Sequence, residues 1–445
     1  MPSSTYYDVT TWHTGDAHED IGAVINSILD DVRSHQPEID HDEAGRPGAV
    51  IHIPPGDYHL RTQVLIDLSY IRIEGDGHGF ISSSIRFNLE DHERQDLHEV
   101  WPGGSRVLVD LEEGAAFVVA REGSPRISSV EFSGFCVDGL HFRGEAPGGN
   151  PENSYANGRT GIEVRDANDS FKINGMGMVY LEHGLVIRKA DALSVHDSFI
   201  AECGSCIELP DWGQACKVTD NHVGAGPWGH SIYAENHGGL LVTANNVFPR
   251  GDSSIHLSGV TRSNISSNRL HSFYPGAVVL DHGCRENLVG ANHVLRDMEP
   301  WTPFADVTNG REESYGVIRI DGDDNSVIGN HISVVLDPDR LSTPHHPVDD
   351  SERSVVIRLA GGSGNYVATN NIVAHSLSAQ DSNSCFEAQV DALVASTRSA
   401  TLDVTTVHVD ARCTGNTVLD SGTRAQLALD TSRNACRPTP SVPAA

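Results

Sequence analysis

Short runs of β-branched and aliphatic residues alternate along this chain with Asn, Gly and Asp, and the alternation repeats. Seven segments share the pattern Val/Ile-x-x-Asn-x-apolar, the first with Ser in the Asn slot. They are VHDSFI from Val195, VTDNHV from Val218, VTANNV from Val242, ISSNRL from Ile265, VGANHV from Val289, VIGNHI from Val327 and VATNNI from Val367. The fourth positions, Ser198, Asn221, Asn245, Asn268, Asn292, Asn330 and Asn370, are separated by 23, 24, 23, 24, 38 and 40 residues. The last two intervals equal one repeat plus roughly 15 inserted residues.

Such a period predicts an all-β solenoid, a single-stranded right-handed parallel β-helix. Each turn adds short strands that pair with the turns above and below at about 4.8 Å. Apolar residues stack inward, and Asn side chains stacked at a corner satisfy backbone groups at the bend. The Leu-x-x-Leu-x-Leu signature of leucine-rich repeats is missing, and so is the 3.6-residue periodicity of helical repeats.

The segment HEDIGAVINSILDDVRS carries Ile21, Val24, Ile25, Ile28, Leu29 and Val32 at helical spacing, with acids in its first turn. It predicts an amphipathic N-terminal helix covering the open end of the solenoid, whose terminal apolar layer needs a cap. The strand AVIHIPPGDYHL follows, broken by Pro54-Pro55-Gly56. This order resembles the opening of pectate-lyase-like β-helix proteins. The expected organisation is a capping-helix region over 1–45, the β-helix over 46–432 and a tail over 433–445. Residues 147–159 have loop composition, and the insertions at 296–315 and 337–353 are expected to build a binding rim.

Composition narrows the partners. The 445 residues include 31 Lys/Arg against 61 Asp/Glu, a formal charge of −30. So acidic a surface repels phosphate backbones and anionic lipid, which argues against nucleic acid and membrane partners. A neutral substrate is unaffected. The N-terminus MPSSTYYDVTTW has no basic start and no apolar run, so no secretory signal is visible and a cytoplasmic location is expected, or a secreted one if a leader has been removed. Cys203-x-x-Cys206 with Cys216 invites a zinc reading, but no second Cys-x-x-Cys follows. Three cysteines inside repeat turns read better as small inward-facing residues, so no metal and no cofactor are expected.

The densest cluster of chemically active side chains is DALSVHDSFIAECGSCIELPDWGQACKVTDNH, which holds Asp197, Glu202, Glu208, Asp211 and Asp220. Asp220 falls one rung above Asp197, 23 residues on, and like charges that close favour sharing a proton. Glu208 sits in the apolar string Cys206-Ile207-Glu208-Leu209-Pro210, where desolvation is expected to favour the protonated form. A protonated acid beside a carboxylate is the apparatus of glycosidic bond cleavage. Eleven residues is half a turn, however, so a loop or a neighbouring subunit must bring the two together. Candidate sugar-hydroxyl partners are Glu202, Asn221, His222, Glu235, His237 and Arg250. Trp212, Trp228, Tyr233, Tyr274 and Trp301 are candidates for stacking on sugar faces. Asn221 also occupies the repeated ladder slot.

The strings IAECGSCIEL, NHVGAGP, AENHGGLLVTANNVFPRG, NRLHSFYPG and HGCRENL resemble the inulin fructotransferase and difructose anhydride III hydrolase family, glycoside hydrolase family 91. The resemblance is dense from Leu181 to Leu295. It implies a homotrimer with active sites at subunit interfaces, and catalytic Asp and Glu residues eleven positions apart, which fall on Asp197 and Glu208. His196 and Ser198 depart from the asparagines of the transferase pattern. With the missing leader, this favours the hydrolase branch, which opens difructose dianhydride III, a small neutral fructose disaccharide, to inulobiose. Rival readings are the transferase itself, a calcium-dependent polysaccharide lyase, which the charge of −30 disfavours, and a non-catalytic carbohydrate-binding β-helix.

Overall fold

The structure is a computed structural model that describes residues 5–35, 48–79, 103–139, 156–226, 228–248, 251–297, 310–336, 354–376, 400–401, 404–419, 426–428 and 435–437. The chain forms two compact units, Met1–Gly226 and Pro227–Ala445.

Unit one is built from parallel strands. A rung runs through three strands in succession, each belonging to a different sheet. Phe199–Cys203 follows Ser194–His196 after a two-residue corner, and Ser205–Leu209 follows after Gly204 alone. The register is set rung on rung. Val195 pairs with Ile173 below and Val218 above, and Leu185 pairs with Ile162 and Ile207. The inward positions Ile173, Val195, Val218, Ile162, Leu185 and Ile207 are fully buried. A narrow fourth sheet, which includes Asn168–Asp169, Ala190–Asp191 and Gly213–Gln214, adds a short strand to the rungs that contain them.

The expected helix spans Ala17–His35 (α1), and all six residues of its predicted apolar stripe are buried. It packs on the strands Gly56–Leu60 and Val64–Ile66 at the start of the unit. Gly22 permits the close approach, since a Cβ there would lie 1.7 Å from the carbonyl oxygen of Thr62. Asp20 ties the helix down by accepting from the backbone N–H groups of Arg61 and Thr62, both at 3.1 Å. A strand at Tyr6–Asp8 precedes the helix and pairs with Ala49–Ile53 inside the region read as cap alone, and Pro54-Pro55 separates Ala49–Ile53 from Gly56–Leu60.

Unit two repeats the plan with parallel rungs, apart from one antiparallel contact in which Ala400–Thr401 meets His375 and Ser376. Its corner carries the expected Asn ladder. The side-chain amides of Asn245, Asn268, Asn292, Asn330 and Asn370 bond in series at 2.9–3.0 Å. Each amide from Asn268 onward also donates to a backbone carbonyl, of Val242, Ile265, Val289 and Val327 in turn. A second ladder, not anticipated from the repeat, runs through Asn287, Asn325 and Asn365, with Asn416 accepting from the Asn365 backbone. The strand Ala435–Arg437 pairs with Thr417–Leu419, within the stretch read as tail. Of the two insertions, residues 298–309 and 337–353 lie outside the described residues. A buried ion pair between Arg296 and Glu313, at 2.6 Å, joins the two ends of the first.

Asn268→Ala strips partners from the Val242 carbonyl and the Asn245 N–H, both inside the ladder. Each lost partner costs about 1–3 kcal/mol, so a loss of about 2–6 kcal/mol is expected, read as a lower midpoint of thermal unfolding. Asn268→Ser, which copies Ser198, recovers part of that loss, because a hydroxyl in this slot still accepts a backbone N–H.

Candidate active site

The corner that positions Asp197 is the repeating one. The residue before each ladder slot adopts a left-handed backbone: Asp197 (φ 53), Asp220 (φ 59), Ala244 (φ 59), Ser267 (φ 58) and Ala291 (φ 53). Asp is among the residues that tolerate this region, so an acid fits here at little cost. Ser198 follows, donating to the His196 carbonyl and accepting the Met176 N–H, while its own N–H goes to Asn221 Oδ1 at 3.0 Å. The corner is therefore rigid on its inner side and presents Asp197 outward, with 66% of its side chain exposed. His196 Nδ1 lies 2.7 Å from Asp197 Oδ2. The expected stacking of Asp220 above Asp197 holds in register, since His196 pairs with Thr219 and Phe199 with His222.

Glu208 lies on the strand Ser205–Leu209 of the third sheet. Its apolar sequence neighbours do not enclose it: Ile207 and Leu209 are fully buried, whereas Glu208 between them points outward. Successive side chains on a strand face opposite ways, so the apolar string describes the core side and not the surroundings of the carboxylate. What meets Glu208 instead is His183, with Nδ1 2.5 Å from Oε2. This hydrogen bond, with the nearby charges of Glu208, Glu182 and Glu163, holds the His183 imidazole above its usual pKa against the opposing effect of burial. Sequence reading missed His183. The signal was its placement one rung below the Glu208 strand, where His183 pairs with Ser205 and Val186 with Glu208.

Within one chain the two carboxylates stand on different faces. Asp197 is at the corner before Phe199–Cys203 and Glu208 is on the strand after it. At about 3.3 Å per residue the intervening strand alone spans roughly 16 Å, too far for one furanose ring to touch both.

The remaining candidates divide clearly. Asn221 is 1% exposed, with its oxygen on the Ser198 N–H and its amide on the Val195 carbonyl, so it is a ladder residue and is corrected from the sugar-binding set. Glu202 is buried at a bulge in the strand Phe199–Cys203, with a left-handed backbone (φ 56). His222 is exposed and stacks on Phe199, the ring centroids 5.6 Å apart. Trp212 is exposed as well. In unit two, His237 is buried with Nδ1 on the Glu235 carbonyl, and burial lowers its pKa. Tyr274 is buried, whereas Tyr233 stacks on His230 and meets the edge of His256. Glu235 is half-buried, and Trp228 is exposed. Arg250 and Trp301 lie outside the described residues. Cys203, Cys206 and Cys216 are fully buried in the core, and burial pushes the Cys216 thiol up to about 11.

Because the folded-state pKa of His183 is raised, the His183–Glu208 pair stabilises the protein fully below the unfolded imidazole value and loses that contribution as pH rises through the folded value. Histidine NMR titration should place the His183 midpoint above 6.5, and Glu208→Gln should lower it.

A family model for the β-helix repeat of inulin fructotransferase matches residues 291–440. The DFA-I-forming inulin fructotransferase of Arthrobacter globiformis is 41% identical over 384 residues, covering 84% of this chain and 90% of that protein. Two crystal structures of DFA-IIIase from Arthrobacter chlorophenolicus A6, one in complex with GF2 and one with DFA-III, are 61% identical to this chain. They superpose with a TM-score of 0.91, over 99% of this chain and 100% of theirs. Cap, ladder and outward carboxylates thus belong to a sequence related to these enzymes along nearly its whole length: the chain is a member of the inulin fructotransferase and difructose anhydride III hydrolase family.

Proposed function

We propose that this protein hydrolyses difructose dianhydride III to inulobiose. The observation that carries the choice of branch is the 61% identity over 99% of the chain to a DFA-IIIase, against 41% over 84% to a fructotransferase. A small neutral sugar also suits a surface of charge −30.

In this reading Glu208 protonates the bridging oxygen at an anomeric C2. The C2–O bond breaks, and positive charge develops on the fructofuranosyl ring. Asp197 stabilises that charge. Glu208, now a carboxylate, takes a proton from water as the water oxygen bonds to C2, which regenerates the acid. In the transferase alternative, a sugar hydroxyl of the same chain replaces water.

Since one chain holds its two carboxylates on different faces, the active site joins Glu208 of one protomer to Asp197 of the partner subunit in a homotrimer. An uncharged outer column on the first sheet of unit two suits a subunit contact. It runs through Leu241, Asn264, Leu288, Ser326 and Tyr366 in register, with Leu241, Leu288 and Tyr366 exposed.

Incubation with difructose dianhydride III should release inulobiose, and incubation with inulin should not yield the dianhydride. The reverse pair of results assigns the transferase. Asp197→Asn and Glu208→Gln should each lower kcat by about 100-fold or more with the fold intact. Co-assembly of the two inactive variants should restore about a quarter of wild-type activity, since random mixing gives that share of interfaces both intact residues. No recovery would refute the shared site.

A further inference from the structure

We propose that His183 is the positioning residue of Glu208, fixing one carboxylate oxygen so that the other alone exchanges protons with the sugar. The inference rests on the reading of Glu208 as the acid and base of the reaction.

Backbone pairing supplies the first support. The strand His183–Ile187 is locked to Ser205–Leu209 through His183–Ser205, Leu185–Ile207 and Val186–Glu208. Both side chains emerge on the outer face, His183 39% and Glu208 19% exposed. Nδ1 meets Oε2 at 2.5 Å, while Oε1 has no hydrogen-bond partner among the described residues. A carboxylate in water turns freely about its last torsion. Here one oxygen is tethered and the other is left facing outward, which is the preorganisation proton transfer requires.

Charge supplies the second support. Three acids face the imidazole: Glu208 from the rung above, Glu182 beside it with Oε1 3.8 Å from Nε2, and Glu163 from the rung below, itself paired with Arg165 at 2.9 Å. Together they raise the His183 pKa above its usual value, most strongly when Glu208 is ionised. When Glu208 gives its Oε1 proton to the leaving oxygen it passes from neutral to anionic, and the Nδ1–H of His183 held against Oε2 stabilises the charge that appears. The proton returns to Oε1 from the attacking water. His183 keeps its own proton throughout, so the imidazole acts only through Glu208.

The test is steady-state kinetics over pH, on whichever of difructose dianhydride III and inulin the protein turns over, with thermal unfolding of each variant as a check on folding. His183→Ala should lower kcat roughly 10–100-fold with KM near wild type, the size of effect expected when a reacting group loses its orientation. His183→Asn retains a donor that does not titrate. It should keep more of kcat and lack the alkaline fall that is expected of the wild type as His183 deprotonates. Wild-type kcat in His183→Ala, or a loss of kcat in both variants with the wild-type alkaline limb unchanged, overturns the proposal. Glu208→Gln separates the two levels. If it remains active, the reading of Glu208 itself fails; if it is inactive while His183→Ala behaves as wild type, only the role of His183 does.

Discussion

Each rung of this protein is held by backbone hydrogen bonds to the rungs above and below, and every corner threatens to leave some of those groups without partners. Buried donors and acceptors must be satisfied, and at the main corner the amide side chain of Asn does it twice over. It accepts the N–H of the residue one rung below and donates to a carbonyl of the strand that precedes that residue, as Asn268 and Asn292 do. The bend that makes room for this amide requires a left-handed residue immediately before it. Register, rung spacing and corner conformation all follow from that one requirement.

The chemistry grows out of the same corner. The left-handed position faces outward and is free to vary, and the solenoid places Ala, Ser, Thr or Gly there in unit two. At two successive rungs of unit one it carries Asp. A carboxylate mounted this way is exposed on a backbone too well bonded to shift, which suits the role proposed for Asp197, meeting a cationic ring without reorganising. Glu208 reaches its place by the other rule of the fold, the alternation of faces along a strand. The imidazole beside it comes from the rung below, 25 residues earlier in sequence. Rigid stacking turns distant positions into fixed neighbours.

Much of this was legible in the amino-acid pattern. The six apolar positions of α1, and the ladder slots at Ser198 and Asn221 in unit one and from Asn245 to Asn370 in unit two, can be read because burial and corner hydrogen bonding constrain residue type at each position. The second ladder escaped notice: its steps, Asn287 to Asn325 to Asn365 to Asn416, span inserted loops and show no constant period. The apolar string around Glu208 misled, because adjacency in sequence is opposition in a strand. Asn221 drew two readings, and only its burial, with both ends of the amide engaged, decided between them.

By itself the sequence determined the solenoid and its cap, since periodic burial and corner chemistry leave their mark residue by residue. The contact of His183 with Glu208, and the separation of Asp197 from Glu208 by a whole strand, were decided only in three dimensions. Both depend on which way a side chain leaves the backbone and which rung lies beside it, and a linear spacing carries neither.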